Sequence, residues 1–304
     1  MKDFPRGSCE KTRAHYPKGL LEVATDVLTG VPLLARLASP LKTTERDLLF
    51  DIIGDLPKKI VVLLDRGHES CRVFDTITKA GSCYIARMRT RSWGLHHSGF
   101  VQSFLATGLR EQVVTMENQH GLRTAVRLLR YGNDAEHLPI VLATNLFDRT
   151  KYPRTSILKA YKHRWRVETL YYRVKTLLHL ESFHARTLNG IKQEVWAQLF
   201  VLGVTAVLVQ KASRSAESPR AAINFKSVVE IVRRNLRILM ACSHRLRTRL
   251  LKQLLAQIEK LRCRKQPGRK YERRSRRPQN SWRRPDGKNR ARVQDARRRA
   301  NASA

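Results

Sequence analysis

Acidic residues are scarce in this chain of 304 residues: 25 Asp and Glu face 60 Lys and Arg, which leaves a formal charge of +35. That imbalance exceeds what solubility requires and indicates a polyanionic partner, with nucleic acid as the first candidate. An anionic membrane is the rival partner. Basic residues spread through nearly every segment disfavour it, because membrane-binding chains concentrate them beside an amphipathic helix or a lipidation site.

Paired cysteines, phosphate loops and long apolar runs are also missing. The five cysteines include no CxxC pair, which argues against a zinc ribbon or a disulfide framework and favours a reducing cytoplasm. No Gly-rich stretch followed by Lys-Ser or Lys-Thr occurs, so nothing indicates ATP binding. The N-terminus shows no apolar signal-peptide region. The apolar run 195–209 is shorter than the roughly 20 residues that span a bilayer and predicts a buried core helix.

The first half of the chain alternates strand and helix patterns. GLLEVATDV and GVPLLARLAS predict a hairpin, TTERDLLFDIIGDLP an amphipathic helix, and KKIVVLLD a short strand buried on both faces that ends on Asp65. A helix (ESCRVFDTITKAG) and a strand (SCYIARMR) follow. This order predicts a mixed α/β sheet with helices packed on it, and such sheets bind ligands at the carboxyl ends of strands, where Asp65 lies.

The rest of the chain predicts an insertion, a helical region and a basic tail. The polar, alternating stretch from residue 92 favours a β-rich insertion, about 92–137, with a hairpin around Gln119, His120 and Gly121. From about Thr155 the pattern is helical, and residues 213–262 predict one or two basic amphipathic helices. The segment 263–304 has almost no aliphatic side chains, so we expect it to be disordered and to track phosphates without reading sequence.

A single carboxylate stands out in the basic, aromatic stretch YKHRWRVETLYYRVK, residues 161–175. On one continuous helix, at about 100° per residue, Tyr161, Arg164, Glu168 and Lys175 fall on one side. Neighbouring cations should keep the glutamate ionised. One reading is a solvated face with weak intrahelical ion pairs. Asp65 at the end of an apolar strand favours another, in which the two acids hold Mg²⁺ together with phosphate oxygens.

These residues carry a resemblance to a known family. The helix resembles the Y-x2-R-x3-E-x6-K signature of the DDE transposases of bacterial insertion sequences, "YREK" group, with Tyr161, Arg164, Glu168 and Lys175 at its four positions. IVVLLDRGHES resembles the family segment in which the second acid precedes Arg-Gly. The resemblance also includes HYPKGLLEVATDVLTGVPL, TTERDLL, VLATNL and ESFHARTLNGIKQEVWAQL, and it extends over roughly residues 13–212.

The resemblance implies an RNase H-like catalytic domain over residues 1–212 that cuts and joins DNA at transposon ends with two Mg²⁺ or Mn²⁺ ions. It also implies a cytoplasmic, nucleoid-associated protein without a membrane partner that binds double-stranded transposon ends and target as a homodimer on paired ends. Asp65 and Glu168 would hold metal. The expected DNA contacts are Tyr161, Arg164, Lys175, Trp165 and Arg173, where Trp165 either stacks on unpaired bases or packs in the core.

The family's first acid has no evident match. It is expected before the hairpin in an Asp-Gly-Ser/Thr context, whereas Asp3 lacks that context and Asp26 lies near the turn. We therefore expect the chain to lack the family's N-terminal region. Two alternatives to a complete transposase stay open: a truncated, non-catalytic remnant that binds DNA, and a basic RNA-binding protein. His96 and His97 lack a spaced third ligand and are a weak metal signal.

Overall fold

The computed structural model describes residues 6–9, 12–17, 19–39, 42–90, 99–132, 139–178, 183–185, 187–214 and 221–264. Two compact units divide the chain, Met1–Cys263 and Arg264–Ala304, and the strands and helices below belong to the first, apart from the last residue of β11. The strands are β1 Arg6–Cys9, β2 Thr12–Pro17, β3 Leu20–Thr25, β4 Pro32–Ala38, β5 Val61–Leu64, β6 Cys83–Arg87, β7 Glu111–Glu117, β8 Arg123–Tyr131, β9 Ile140–Thr144, β10 Ala221–Ile223 and β11 Arg262–Arg264. The helices are α1 Glu45–Asp55, α2 Cys71–Lys79, α3 Gly99–Ala106, α4 Arg154–Lys162, α5 Trp165–Tyr172, α6 Leu188–Arg214, α7 Phe225–Ala241 and α8 His244–Lys260.

The predicted hairpin is confirmed as β3 and β4, which pair antiparallel from Leu20 opposite Ala38. Its turn is fixed locally, because the carboxylate of Asp26 accepts hydrogen bonds from the Leu28 amide (2.8 Å) and the Thr29 hydroxyl (2.7 Å). Gly30 takes a positive φ of 76°, which a residue with a side chain adopts only under strain. The chain can therefore reverse within five residues.

The central sheet has five strands in the order β5, β6, β9, β8, β7. β5 and β6 are parallel, and the other neighbours are antiparallel. The prediction of a mixed α/β sheet with flanking helices is confirmed. Because β5 and β6 run in the same direction, Asp65 after β5 and Arg87 at the end of β6 lie at one edge of the sheet.

Alternate residues along the strands belong to two separate hydrophobic cores, because successive side chains of a strand point to opposite faces of the sheet. Tyr84, Leu128 and Val141 face one side, where they pack with Phe74 and Ile77 of α2 and with residues of α1 and α3. Their neighbours Ile85, Leu129 and Leu142 face the other side and pack against α4 through Ile157 and Tyr161. The sheet is thus covered on both faces.

One prediction about strands needs correction. β5 was expected to be buried on both faces, but among the described strands it is an outer one, and Val61 is 47% exposed. Its apolar run reflects parallel pairing with β6 rather than complete burial. The β-rich insertion at about 92–137 stays a prediction; its described part contains helix α3 and the expected hairpin, β7–β8, which pairs with β9.

The expected single helix through residues 161–175 is also wrong. α4 ends at Lys162, and bonds from the Arg166 amide to the His163 carbonyl (3.0 Å) and from the Val167 amide to the Arg164 carbonyl (2.9 Å) form tight turns before α5 proceeds. A π-helical turn, Arg173–Leu177, follows α5. Both irregularities change the rotation per residue locally, so the 100° spacing of a regular helix does not apply throughout residues 161–175.

Helix α6 is the centre of the C-terminal half. Val195, Leu199 and Leu202 pack with α5 and the β3–β4 hairpin, while Leu208 and Ala212 pack with α7 and α8. By length and composition alone, the segment Leu188–Ser213 could also cross a membrane, and this is weak evidence because core helices of soluble proteins pass the same test. The two buried sets of contacts agree with the prediction of a core helix.

Candidate active site at the edge of the sheet

Asp65 opens the tight loop that leaves β5. Its Oδ1 accepts a hydrogen bond from the Gly67 amide at 2.9 Å and so caps a 3₁₀ turn, Arg66–His68. A Cβ added to Gly67 would lie 3.1 Å from that oxygen, closer than ordinary contact. Glycine therefore lets the backbone close under the carboxylate, and a structural role for Asp65 stands beside any chemical one.

The loop after Asp65 is held from two directions. The guanidinium of Arg46 donates to the carbonyls of Gly67 and Glu69, each at 3.3 Å. The buried carboxylate of Glu69 accepts from the Arg89 amide at 2.8 Å. Burial raises the pKa of Glu69, partly offset by that bond and by the nearby charges of Arg89 and Arg46. These hydrogen bonds therefore fix the position of the loop that begins at Asp65.

Glu168 is bonded to Arg164 one turn earlier, with 2.9 Å between the guanidinium and Oε1. The side chain of Glu168 is 50% exposed. Burial acts to lower the pKa of Arg164, but the bond to Glu168, with the charges of Tyr161, Glu168 and Asp65, raises it above its ordinary value. Arg164 therefore interacts with both predicted metal-binding acids, with Glu168 through a direct ion pair and with Asp65 through its charge.

Contacts with the β3–β4 hairpin fix the orientation of α5. Arg166 donates to the carbonyls of Val27 (2.8 Å) and Leu28 (3.0 Å) at the hairpin turn, and the Tyr171 hydroxyl donates to the Leu21 carbonyl (3.2 Å). These bonds join residues about 140 to 150 positions apart in sequence. They hold the helix so that Glu168, between the two anchors, keeps its position relative to the sheet.

Arginines gather at the same edge. Burial lowers the pKa of Arg87, and the charges of Arg66 and Arg164 lower it further, because like charges nearby disfavour the protonated form. Tyr161 is buried, and its hydroxyl is among the buried polar atoms without a hydrogen-bond partner in the described residues. Burial raises the pKa of Tyr161, and Arg164 and Arg87 oppose that shift. Mutually repelling cations of this kind favour an anionic ligand.

Three acids also influence one another here, and two of them escaped sequence reasoning. Burial, together with the charges of Glu45 and Asp65, raises the pKa of Glu22 to about 7. Its Oε1 lies 3.6 Å from Nε2 of His68, whose pKa burial lowers. Glu22 is the only acid within strand β3, and an acid between apolar strand residues was the signal that could have found it.

The remaining predicted DNA contacts lie in different surroundings. Trp165 is 62% exposed beside the Arg164 guanidinium, so the core-packing interpretation is wrong. The Arg173 guanidinium stacks on the Phe225 ring at 3.6 Å, and burial lowers its pKa. Lys175 is exposed on the π-helical turn. Of the acids considered for the first position, Asp26 is committed to the hairpin turn, while Asp3 lies outside the described residues, as do His96 and His97.

The residues present fit a divalent metal in part. Mg²⁺ uses one or two carboxylates with waters and substrate phosphate oxygens, and Asp65 and Glu168 offer such hard oxygen ligands. In the ranges that the structure describes, no group of three or more His, Cys, Asp or Glu could hold a metal ion. A metal here would therefore depend on oxygen ligands from a substrate or from water.

The protein is of the α/β class, with acids and arginines near the carboxyl ends of two parallel strands. This arrangement is suited to binding a phosphate-bearing substrate. A family model described as "Transposase DDE domain" matches residues 5–203. Since the match covers more than half of the chain, the protein belongs to this transposase family, and membership supports a transposase function acting on DNA. No curated protein matches the chain.

Proposed function

We propose that the chain is the transposase of an insertion sequence, which cleaves DNA at transposon ends and joins the ends to a target. The observation that carries the proposal is the family match over residues 5–203 together with Asp65 and Glu168 near one arginine. The finer resemblance to the "YREK" group and to an RNase H-like fold agrees with the five-stranded mixed sheet and with the Arg164–Glu168 pair.

In this proposal Asp65 and Glu168 hold Mg²⁺ or Mn²⁺, in one or two ions. The metal would supply an activated water or 3′-hydroxyl and stabilise the leaving oxygen. Arg164 has two partners available: Glu168 without DNA and a phosphate with DNA. Its planar guanidinium suits a forked contact to phosphate, and exchanging partners would free Glu168 Oε1 for the ion.

The other DNA contacts follow from exposure and charge. Arg87 and Arg66 join Arg164 in neutralising a strand at the sheet edge, and Lys175 adds a point charge. Trp165, beside Arg164, offers a ring face on which an unpaired base can stack. Tyr161 and Arg173 are better suited to supporting the helix, because Tyr161 is buried and Arg173 stacks on Phe225.

A second function, DNA binding without cleavage, is favoured by one observation. Both acids have structural partners: Asp65 caps the Gly67 turn and Glu168 pairs with Arg164. Carboxylates used in this way support the fold without any metal. This second candidate corresponds to a remnant that still binds duplex DNA.

Cleavage assays on single carboxylate variants test the proposal. Duplex DNA taken from both sides of the reading frame is incubated with Mg²⁺ or Mn²⁺ and the unmutated chain, Asp65→Asn or Glu168→Gln. Loss of a metal-binding carboxylate should reduce strand cleavage by at least about 100-fold, since even supporting groups around a metal contribute 10- to 100-fold. Duplex binding by gel shift should change by less than about 3-fold, because both substitutions remove negative charge.

Asp51→Asn on α1 and Glu117→Gln on β7, both exposed acids, are the matched controls and should cleave at the unmutated rate. Cleavage that survives both Asp65→Asn and Glu168→Gln would rule out the metal assignment. Binding without any cleavage by the unmutated chain would instead establish the second candidate. A strong preference for structured RNA over duplex DNA would exclude both.

A further inference from the structure

The helical hairpin α7–α8 lies beyond the residues that the family model matches, and it is strongly basic. Residues 225–260 contain nine Lys and Arg and two Glu. Asn224 caps the start of α7, with its side chain accepting from the Ser227 amide at 3.3 Å. Arg247 closes the turn by donating to the carbonyls of Leu239 (2.8 Å) and Cys242 (3.0 Å). The hairpin is therefore a defined structural element.

One apolar face of the hairpin is already buried against α6, while Ile238, Met240 and Leu246 stay exposed elsewhere on it. Val228 and Val232 of α7 and Ile258 of α8 are buried in one cluster with Leu208 and Ala212 of α6. A membrane-surface helix must keep its apolar face available for lipid. In this hairpin the face opposite the cluster is the one left for a partner.

That opposite face is cationic on both helices. At about 100° per residue, basic residues spaced by one or two turns form one stripe on each helix, with the exposed acid Glu230 on the α7 stripe as well. Both stripes lie at least about 100° from the cluster positions Val228, Val232 and Ile258. All six are exposed, and none takes part in an ion pair with another described residue. The stripes consist of Lys226, Arg233, Arg237, Arg245, Arg249 and Lys252.

We propose that these two stripes form a second DNA-binding surface, separate from the sheet-edge site, that holds the phosphate backbone of duplex DNA beside the point of cleavage. The choice of duplex rests on the proposed function, because a transposase binds double-stranded ends and target. A stripe of about 16 Å on α7 faces several phosphates, since B-DNA carries one charge per roughly 1.7 Å of axis. The stripes contain no aromatic side chain, which disfavours stacking on single-stranded bases.

Lysine footprinting on the unmutated full chain tests the location directly. A 30-bp duplex is added, and acetylation rates are measured by mass spectrometry. Lys226 and Lys252 on the stripes should become at least about 5-fold less reactive. Lys58 and Lys79, exposed lysines outside the hairpin, are the internal controls and should change by less than 2-fold. Unchanged reactivity at both stripe lysines would overturn the proposal.

Salt dependence tests the energetics. A triple variant carries Arg245→Gln, Arg249→Gln and Lys252→Gln. It loses three phosphate contacts, so the slope of log affinity against log salt should become less steep by about 2.7. Lys58→Gln, Lys79→Gln, Arg123→Gln removes the same charge elsewhere and should leave the slope within about 0.5. Equal slopes for the two triple variants would contradict the proposal, as would protection of the stripe lysines by phosphatidylserine vesicles or structured RNA but not by duplex.

The proposed catalysis and the proposed hairpin surface can be disproved independently of each other. Protection of Lys226 and Lys252 in a chain that never cleaves DNA would retain the hairpin surface and overturn the proposed catalysis. Normal cleavage with unprotected stripe lysines would overturn only the hairpin surface.

Discussion

The central sheet and the α7–α8 hairpin use arginine in opposite ways. In the sheet, Arg127 is buried and donates to the carbonyls of Leu146 (2.9 Å) and Tyr152 (2.8 Å) and to Glu111 (2.7 Å). On the hairpin, Arg245 and Arg249 are exposed and have no carboxylate partner among the described residues. Paired charges stabilise the fold or build a chemical site, whereas exposed and unpaired positive charges are available to bind a polyanion.

The largest expected difference between the two regions concerns stability. Arg127→Met removes a buried cation, leaves two carbonyls without their donor and leaves Glu111 with Arg149 as its ion-pair partner, so the free energy of unfolding should fall by about 3–5 kcal/mol. Arg249→Met on the hairpin should change it by less than about 0.5 kcal/mol. Urea denaturation followed by circular dichroism measures both, and comparable effects would break the comparison.

A smaller effect on stability concerns two acids, Glu22 on the β3–β4 hairpin beside the central sheet and Glu230 on the α7–α8 hairpin. The pKa of Glu22, raised to about 7 by burial, Glu45 and Asp65, means that the folded state loses stability as pH rises from about 4.5 to 7. Glu22→Gln should therefore be more stable than the unmutated chain at pH 8.5, by about 1–2 kcal/mol after allowance for partial solvation, and equally stable at pH 4.

The matched change on the hairpin is Glu230→Gln, at an exposed acid, which should change the free energy of unfolding by less than about 0.5 kcal/mol at both pH values. Thermal melts at the two pH values, with chelator present, distinguish the cases. A Glu22→Gln chain that gains nothing at pH 8.5 would show that Glu22 ionises freely in the fold.

The smallest expected effect compares two kinds of basic residue within the hairpin, one with a structural role and the others exposed on the stripes. Arg247 is its basic residue with a structural role, bonded to the Leu239 and Cys242 carbonyls. Arg247→Gln should lower the free energy of unfolding by about 1 kcal/mol, while duplex affinity falls by less than 3-fold at 0.1 M salt. A calorimetric melt and a gel shift on the same sample measure both quantities. A loss of affinity as large as that of the Arg245, Arg249 and Lys252 triple variant would erase the distinction.

Local patterns in the sequence predicted several features correctly. The β3–β4 hairpin follows from two apolar runs around a glycine turn, and α1 follows from the amphipathic pattern of TTERDLLFDIIGDLP. Asp65 directly follows β5 as expected. The Arg164–Glu168 pair follows from a four-residue spacing on a helix. Each of these depends on residues within a few positions of one another.

Features that join distant segments could not be predicted in this way. The ring on which Arg173 stacks belongs to Phe225, fifty-two positions later, and Glu22 lies near Asp65 only because the hairpin packs beside the sheet. The tight turns after Lys162 occur in a sequence without Gly or Pro. Helix propensity alone gives no reason for them.

The sequence by itself determined the basic charge, the order of strands and helices from β3 to β6, and the short-range pairs, because composition and spacing within one chain segment control all three. Tertiary structure alone decided that the charge of Asp65 acts on Arg164, the partner of Glu168, that β5 is an outer strand among the described strands, and that Val228, Val232 and Ile258 pack on α6 while the basic stripes stay exposed. Those outcomes depend on which faces pack together. Burial of apolar surface drives that packing, and it sums contributions from residues far apart in the chain.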